Sequence, residues 1–182
     1  MKFVAILHNV RSTHNVGSVF RTADAVGAEK IYLCGITPSP LDRFGKIRAD
    51  VAKVSLGAER FVSWEAARST VAVVNRLKKE GYRIFALEQA KGSIPYYLCS
   101  EYFRADQDCK VALVVGDEVR GIPSSILKLA DQVLEIPMRG KKESLNVSVA
   151  FGIAAYAVMR GWEQEEGRKE KGERIKEKRK KL

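Results

Sequence analysis

Asn15, Gly17 and Arg21 stand in one run, Asn15-Val-Gly-Ser-Val-Phe-Arg, that combines an amide, a bare turn and a guanidinium. Asn15 is a good N-cap for the helix that follows. Gly17 and Arg21 are four residues apart and share a helical face, and helical side chains lean toward the N-terminus. Arg21 then lies over Gly17, close to an amide-rich helix end that favours an anion. A phosphate held in two places by the guanidinium suits that geometry; a surface ion pair is the plainer use of the same arginine. A second run, Val114-Val-Gly-Asp-Glu-Val-Arg-Gly-Ile-Pro, brackets a polar turn between Gly116 and Gly121 after an apolar strand. Glycines let a ligand approach the backbone. Glu118 in that turn can accept from Asn15 or from a substrate, or pair with Arg120. The third stretch joins a short apolar strand ending at Ile136-Pro-Met to an apolar helix through a polar loop. Ser144 occupies the N-cap position, and Leu145-Asn146-Val147-Ser148 puts two polar side chains into the first turn. A helix apolar on all sides is buried or lies in an interface. Polar groups in its first turn are desolvated at a cost unless they cap the helix or hold something.

Other chemistries find no matching pattern. There is no G-x-G-x-x-G after the first strand and no G-x-x-x-x-G-K-[ST], so neither common nucleotide fingerprint is present. His8 and His14, the only histidines, are read as loop residues without a ligand set, so no metal site is expected. Cys34, Cys99 and Cys109 fit neither a zinc pattern nor a disulfide framework and read as reduced apolar fillers of a cytoplasmic protein. The N-terminal apolar run is too short for a signal segment, and no run is long enough to span a bilayer. The 182 residues carry 32 Lys and Arg against 22 Asp and Glu, a net charge of +10. Such an excess suits a polyanion such as nucleic acid.

The positioning elements follow from periodicity. Strands are expected at residues 3–7, 30–34, 83–88, 110–115 and 132–136, several of them continuously apolar, as in parallel strands covered on both faces. Helices are expected at 16–26, 65–80, 124–130 and 145–160, with Gly27 and Gly81 as C-terminal stops. The alternation predicts an α/β domain with a mostly parallel sheet and helices on both faces. Ligands in such sheets bind beyond the carboxyl ends of the strands, here at Leu87-Glu88-Gln89, Val115-Gly116-Asp117-Glu118 and Ile136-Pro137-Met138. Residues 35–53, with Arg43, Lys46, Arg48 and Lys53, read as an exposed basic loop. From residue 161 on, Lys and Arg interleave with Glu and apolar residues almost vanish, as in a solvated helix or a disordered tail.

The three motifs, in this order and spacing, resemble the SPOUT superfamily of RNA methyltransferases, in its SpoU/TrmH-type branch of ribose 2′-O-methyltransferases. The resemblance covers residues 3–160, which gives a methyltransferase domain at 1–160 and a basic tail at 161–182. It implies a deep trefoil knot at the C-terminal end of the fold, a feature that general rules of chain connection disfavour. It implies S-adenosylmethionine as methyl donor, held at Leu87, Gly116, Ile136, Met138, Ser144 and Leu145. Asn15, Arg21, Glu118, Ser144 and Asn146 match the catalytic and acceptor side. The acceptor implied is a ribose 2′-hydroxyl of tRNA or rRNA. Relatives acting on large ribosomal RNA often carry an extra N-terminal domain, and this chain starts at its first strand, which tilts the expectation toward tRNA. A homodimer with paired knotted ends is also implied, for which the apolar helix of 149–159 supplies a contact face. Two rivals stand beside this reading: a base-methylating SPOUT enzyme, and a non-catalytic RNA-binding protein of the same fold.

Overall fold

Apolar side chains fill consecutive positions of the first strand and of the strand at 110–115, so each buries both of its faces. The computed structural model describes residues 1–102 and 109–180, with side chains through 164 and at 167. In it these two strands lie side by side at the middle of a seven-stranded sheet. The strands are β1 (Lys2–His8), β2 (Lys30–Cys34), β3 (Ser63–Ala67), β4 (Arg83–Leu87), β5 (Ile94–Pro95), β6 (Lys110–Val115) and β7 (Gln132–Glu135). Their order is β3-β2-β1-β6-β4-β7-β5, and every pairing is parallel.

The helices are α1 (Thr13–Ala25), α2 (Ala49–Ser55), α3 (Thr70–Lys79), α4 (Ser124–Leu127) and α5 (Val147–Lys180). They cover both faces of the sheet. Phe3, Ala5 and Leu7 of β1 share one core with Val19 and Phe20 of α1 and Phe151 of α5. Val4 and Ile6 point the other way, into a core with Val74 and Leu77 of α3 and Ile126 of α4. The register aligns Leu7 with Val115, Ala86 with Val114 and Leu87 with Leu134. The carboxyl ends of β4, β6 and β7 therefore finish together, and the loops after them meet along one edge.

The structure corrects several sequence expectations. Residues 65–80 do not form one helix: β3 pairs with β2 from Lys30↔Ser63 to Cys34↔Ala67, and α3 starts only after Ser69, whose side chain accepts from the Ala72 amide. The helix-forming run Glu65-Ala-Ala-Arg yields to parallel pairing at the sheet edge, where Glu65 meets Lys30 and Arg76. The stretch 35–53 is not all loop, because α2 begins within it and buries Val51. His8 ends β1, and His14 lies in the first turn of α1 rather than in a loop. Helix α1 starts at Thr13 with Ser12 as N-cap, so Asn15 is not the cap. Helix α5 starts at Val147, and Asn146, not Ser144, caps it: the Asn146 carbonyl accepts from the Ala150 amide and its Oδ1 from the Ser148 amide at 2.9 Å.

Helix α5 is apolar on nearly every side in its first half, and the sheet uses only part of that surface. Phe151, Ala154, Ala155 and Val158 are fully buried, whereas Val149 and Tyr156 stand exposed on another face. Trp162 still packs against the core. The helix runs through residues 160 and 161 without a break. Among the described residues, no helix is long and apolar enough to cross a membrane, and no three His, Cys, Asp or Glu side chains gather into a metal-binding group.

Candidate active site

The loops after β4, β6 and β7 and the start of α5 enclose a cavity of about 240 Å³. Leu87, Gly116, Ile136, Met138, Ser144 and Leu145 all line it, so the structure brings the six expected donor-side residues into one place. Val147 and Ala150 add apolar wall, and Glu88, Asp117 and Glu118 add carboxylates. The Gln89 amide donates to the Glu143 carbonyl at 2.6 Å, which ties the loop after β4 to the loop before α5.

The glycines of the middle loop are required by the chain itself. A Cβ on Gly116 would stand 2.5 Å from the carbonyl carbon of Gly121, because Asp117 and Gly121 form an antiparallel bridge that folds the loop back on itself. Gly121 takes φ +64° beneath the Glu88 carboxylate, and that carboxylate accepts from the Ile122 amide at 2.8 Å. Asp117 closes the same turn from within: its Oδ1 accepts from the Val119 and Arg120 amides at 2.8 and 2.9 Å. Its Oδ2 accepts from Arg11 Nε and Nη2 at 3.1 and 2.8 Å. Burial pushes the Asp117 carboxyl up, but the Arg120 and Val119 amides and Arg11 outweigh it and hold the group below its ordinary value.

Glu118 leaves the turn toward the start of α1. Its Oε2 accepts from the Arg11 amide at 3.0 Å, and its Oε1 from the Ser12 amide at 3.2 Å and from Asn15 Nδ2 at 3.0 Å. Of the partners open to it in the sequence, it takes Asn15. Partial burial opposes its charge, and these donors more than compensate, so its carboxyl also lies below the ordinary value. Asn15 Oδ1 in turn accepts from Asn146 Nδ2 at 3.1 Å, and Asn146 Oδ1 accepts from the Ser148 hydroxyl at 2.7 Å. The three motifs are thus joined by one chain of hydrogen bonds running Ser148, Asn146, Asn15, Glu118, the last of which lines the cavity.

Arg21 stands apart from that chain. It is exposed on α1 and has no hydrogen-bond or ion-pair partner among the described residues. Gly17 does not make a seat for it. A Cβ there would meet the Val51 carbonyl at 2.8 Å and Val54 Cβ at 3.0 Å, so the glycine admits the close approach of α2. Ser144 lines the cavity but makes none of the bonds of the chain.

Arg11 and Asp117 form the ion pair that sequence reasoning missed. The Asp117 side chain is 5% exposed and that of Arg11 is 51% exposed, so the carboxylate is buried while part of the guanidinium faces solvent. The only signal for it was an arginine directly before the Ser12 cap and an aspartate directly after Gly116.

Comparisons with known proteins agree with this geometry. The model of the SpoU rRNA methylase family matches residues 2–156. The chain is 31% identical, over 88% of its length and 70% of the relative's, to the tRNA (guanosine(18)-2′-O)-methyltransferase of Aquifex aeolicus. It is 32% identical to the 23S rRNA (guanosine-2′-O-)-methyltransferase of Ralstonia nicotianae, over 85% of its own length but only 57% of that relative's. Several curated relatives are longer in this way, and the chain spans little more than half of each. Its structure resembles an AdoMet-bound rRNA methyltransferase from Sinorhizobium meliloti with a TM-score of 0.74, at 26% identity, covering 87% of this chain and 56% of that one. Motif order, parallel topology, strand-end cavity and a match over residues 2–156 together show that the chain belongs to the SpoU rRNA methylase family.

Proposed function

We propose that this protein transfers a methyl group from S-adenosylmethionine to a ribose 2′-hydroxyl of RNA, with tRNA favoured over rRNA, as a homodimer in the cytoplasm. The observation that carries the reading is the chain from Ser148 to Glu118, which reaches at Glu118 a cavity lined by Leu87, Gly116, Ile136, Met138, Ser144 and Leu145. The lining suits the donor: its apolar members offer a surface to an adenine ring, and the main-chain groups of the three loops offer hydrogen bonds to its polar groups. When bound there, S-adenosylmethionine supplies an electron-poor methyl carbon with a neutral thioether as leaving group. The tRNA preference is supported by the tRNA enzyme named among the relatives. The cytoplasm is supported by three buried cysteine thiols, at home in a reducing compartment. The dimer is supported by the exposed apolar face of α5 at Val149 and Tyr156. The knot is supported by the meeting of the loops after β4 and β7 at Gln89 and Glu143.

In this reading the protein acts chiefly by alignment. Glu118 is held ionised by three donors, which makes it a poor proton acceptor and a good anchor for Asn15. Asn15 and Asn146 orient the acceptor ribose against the cavity mouth. Arg21 holds a substrate phosphate and stabilises negative charge developing on the 2′-oxygen. A guanidinium has only donors to offer, so Arg21 does not itself take up the hydroxyl proton. That proton passes to solvent water as the carbon–oxygen bond forms.

The test uses S-adenosylmethionine labelled in its methyl group, offered with bulk tRNA and with rRNA, followed by identification of the modified nucleoside. Label in 2′-O-methylnucleosides is expected, with tRNA the better acceptor. Label in a methylated base, or tight RNA binding without transfer, would overturn the reading in favour of one or other rival. Calorimetry should show one S-adenosylhomocysteine site per chain.

A further inference from the structure

Phe44 is an apolar ring that takes no part in either core and is 71% exposed. A single exposed apolar residue is ordinary; the way this one is held is not. It sits at the tip of a short hairpin closed by the Leu41↔Ile47 antiparallel bridge and by the Asp42 amide donating to the Lys46 carbonyl at 2.8 Å. Asp42 Oδ1 accepts from the Phe44 and Lys46 amides at 2.8 and 2.9 Å, which fixes the backbone under the ring. Gly45 takes φ +75°, the left-handed residue that a three-residue hairpin loop needs. The Arg43 guanidinium stacks over the Phe44 ring at 4.7 Å, covering one face. The exposure of the ring leaves the other face open to a flat partner.

The hairpin is also indexed to the candidate active site. It follows β2, so it rises from the carboxyl edge of the sheet, the edge that carries the cavity. At its root, Thr37 Oγ1 accepts from the Val10 amide at 3.1 Å and donates to the Cys34 carbonyl at 2.8 Å. Val10 directly precedes Arg11 and Ser12, whose amides hold Glu118. On its far side the Arg48 amide donates to the Pro40 carbonyl at 2.8 Å, and α2 then packs against α1 across Gly17.

We propose that Phe44, backed by Arg43, is a stacking platform for an unpaired base of the RNA substrate, beside the nucleotide that is methylated. An open aromatic face binds any base by stacking, and the neighbouring Arg43 and Lys46 suit the phosphates on either side. The identity of the polymer rests on the methyltransferase reading; the platform itself rests on the hairpin.

The experiment compares wild type with Phe44→Ala, Phe44→Leu and Phe44→Trp. Bulk tRNA and a short single-stranded RNA of mixed sequence serve as probes, the latter also annealed to its complement. Phe44→Ala should weaken binding of both single-stranded probe and tRNA by about 5- to 150-fold, the range for removing one stacked base. It should raise the KM for tRNA and leave kcat and S-adenosylhomocysteine affinity near wild type. Phe44→Leu should behave like Ala, because apolarity without a flat ring does not stack. Phe44→Trp should bind like wild type, and its added fluorescence, after subtraction of the wild-type signal, should be quenched by the single strand but not by the duplex. Equal RNA affinity of Phe44→Ala and wild type overturns the platform, as do full rescue by Leu, quenching by the duplex, or a change of oligomeric mass in Phe44→Ala, which would assign the ring to contact between copies. The two readings fail separately. Quenching by single strand in a protein that methylates no RNA keeps the platform and sinks the enzyme. Wild-type tRNA kinetics in Phe44→Ala sinks the platform alone.

Discussion

At the scale of single residues, the hydrogen-bond chain has a direction. The Ser148 hydroxyl donates to Asn146, Asn146 donates to Asn15, and Asn15 donates to a carboxylate that can only accept while ionised. Neither amide can turn over without placing oxygen against oxygen or two N–H groups against each other. Asn146→Asp tests this polarity with almost no change of volume. The aspartate has nothing to donate to Asn15 Oδ1. If Asn15 turns its amide to meet it, its oxygen then faces Glu118. Either way the acceptor side is displaced, and misplacement of about an ångström costs on the order of 100-fold in rate. Single-turnover methyl transfer should fall by about that much in Asn146→Asp, with S-adenosylhomocysteine affinity measured by calorimetry nearly unchanged. Retention of wild-type turnover would remove the amide chain from catalysis and leave it as a helix cap.

At the scale of elements, the site is a junction of loop ends held by charge, and the charges give it a pH dependence. His8 ends β1 with Nδ1 at 2.7 Å from Thr70 Oγ1 and Nε2 at 3.2 Å from Asn9 Nδ2. Asn9 Oδ1 accepts from the Ile36 amide, so its NH₂ faces the ring and Nε2 is an acceptor. The ring is thus neutral with its proton on Nδ1. Burial lowers the pKa of His8 below 6.5, against a smaller opposing pull from Asp117. As pH falls past 6.5 the unfolded chain takes up a proton that the folded chain refuses, so stability is full above that value and declines as pH drops toward the depressed one. Asp117 and Glu118 act lower: their contribution is full above 3.8 and 4.5 and is lost as pH falls through their still lower folded values. Urea midpoints measured against pH should therefore decline in two stages. His8→Gln should remove the stage just below 6.5 and keep the more acid one; an unchanged curve would take His8 out of the balance. The same scale decides what the sequence made legible. Long apolar strands and glycine-stopped helices carry their own signal, and so do loops that must follow them, which is why Leu87, Gly116, Ile136 and Met138 were readable at strand ends; Ser144 and Leu145 came from the helix start and the family resemblance. β3 was not, because Glu65-Ala-Ala-Arg prefers a helix locally and becomes a strand only beside β2. β5, only two residues long, has no period to read. The Arg11–Asp117 pair joins residues 106 apart, and only the fold brings them together.

At the scale of the whole molecule, the outer face of α5 and Arg21 on α1 stand exposed among the described residues. The proposed homodimer through α5 would cover the first, and an active site shared between its subunits would give the second a substrate to hold. Arg21→Ala should lose methyl transfer and keep donor affinity, and Asn146→Ala should lose transfer too. Mixed and refolded together, the two inactive proteins should regain activity that neither has alone, because in a mixed dimer one site keeps both residues. No recovery would place Arg21 and Asn146 of the same chain in the same site. Val149→Glu should yield inactive monomers or unfolded protein, read by light scattering. The charged end of α5 is the last surface to place. From residue 163 to the C-terminus it carries nine basic and six acidic residues, a net +3 of the chain's +10. The tail is helical backbone as far as Lys180, beyond Trp162, which packs against the core. Truncation after Trp162 should spare the fold, the donor site and the proposed dimer, because it keeps every residue of the cavity and of the core. If the tail neutralises phosphates, removing it should flatten the slope of log affinity against log salt by roughly 0.7 to 0.9 for every phosphate it no longer reaches. The truncated protein should bind tRNA less tightly at low salt, with the difference fading as salt rises. Interleaved glutamates keep the effect to a phosphate or two. Identical affinity and identical slope in the two proteins would make the tail a solubilising appendage and leave the RNA surface to the hairpin of Arg43 and Lys46.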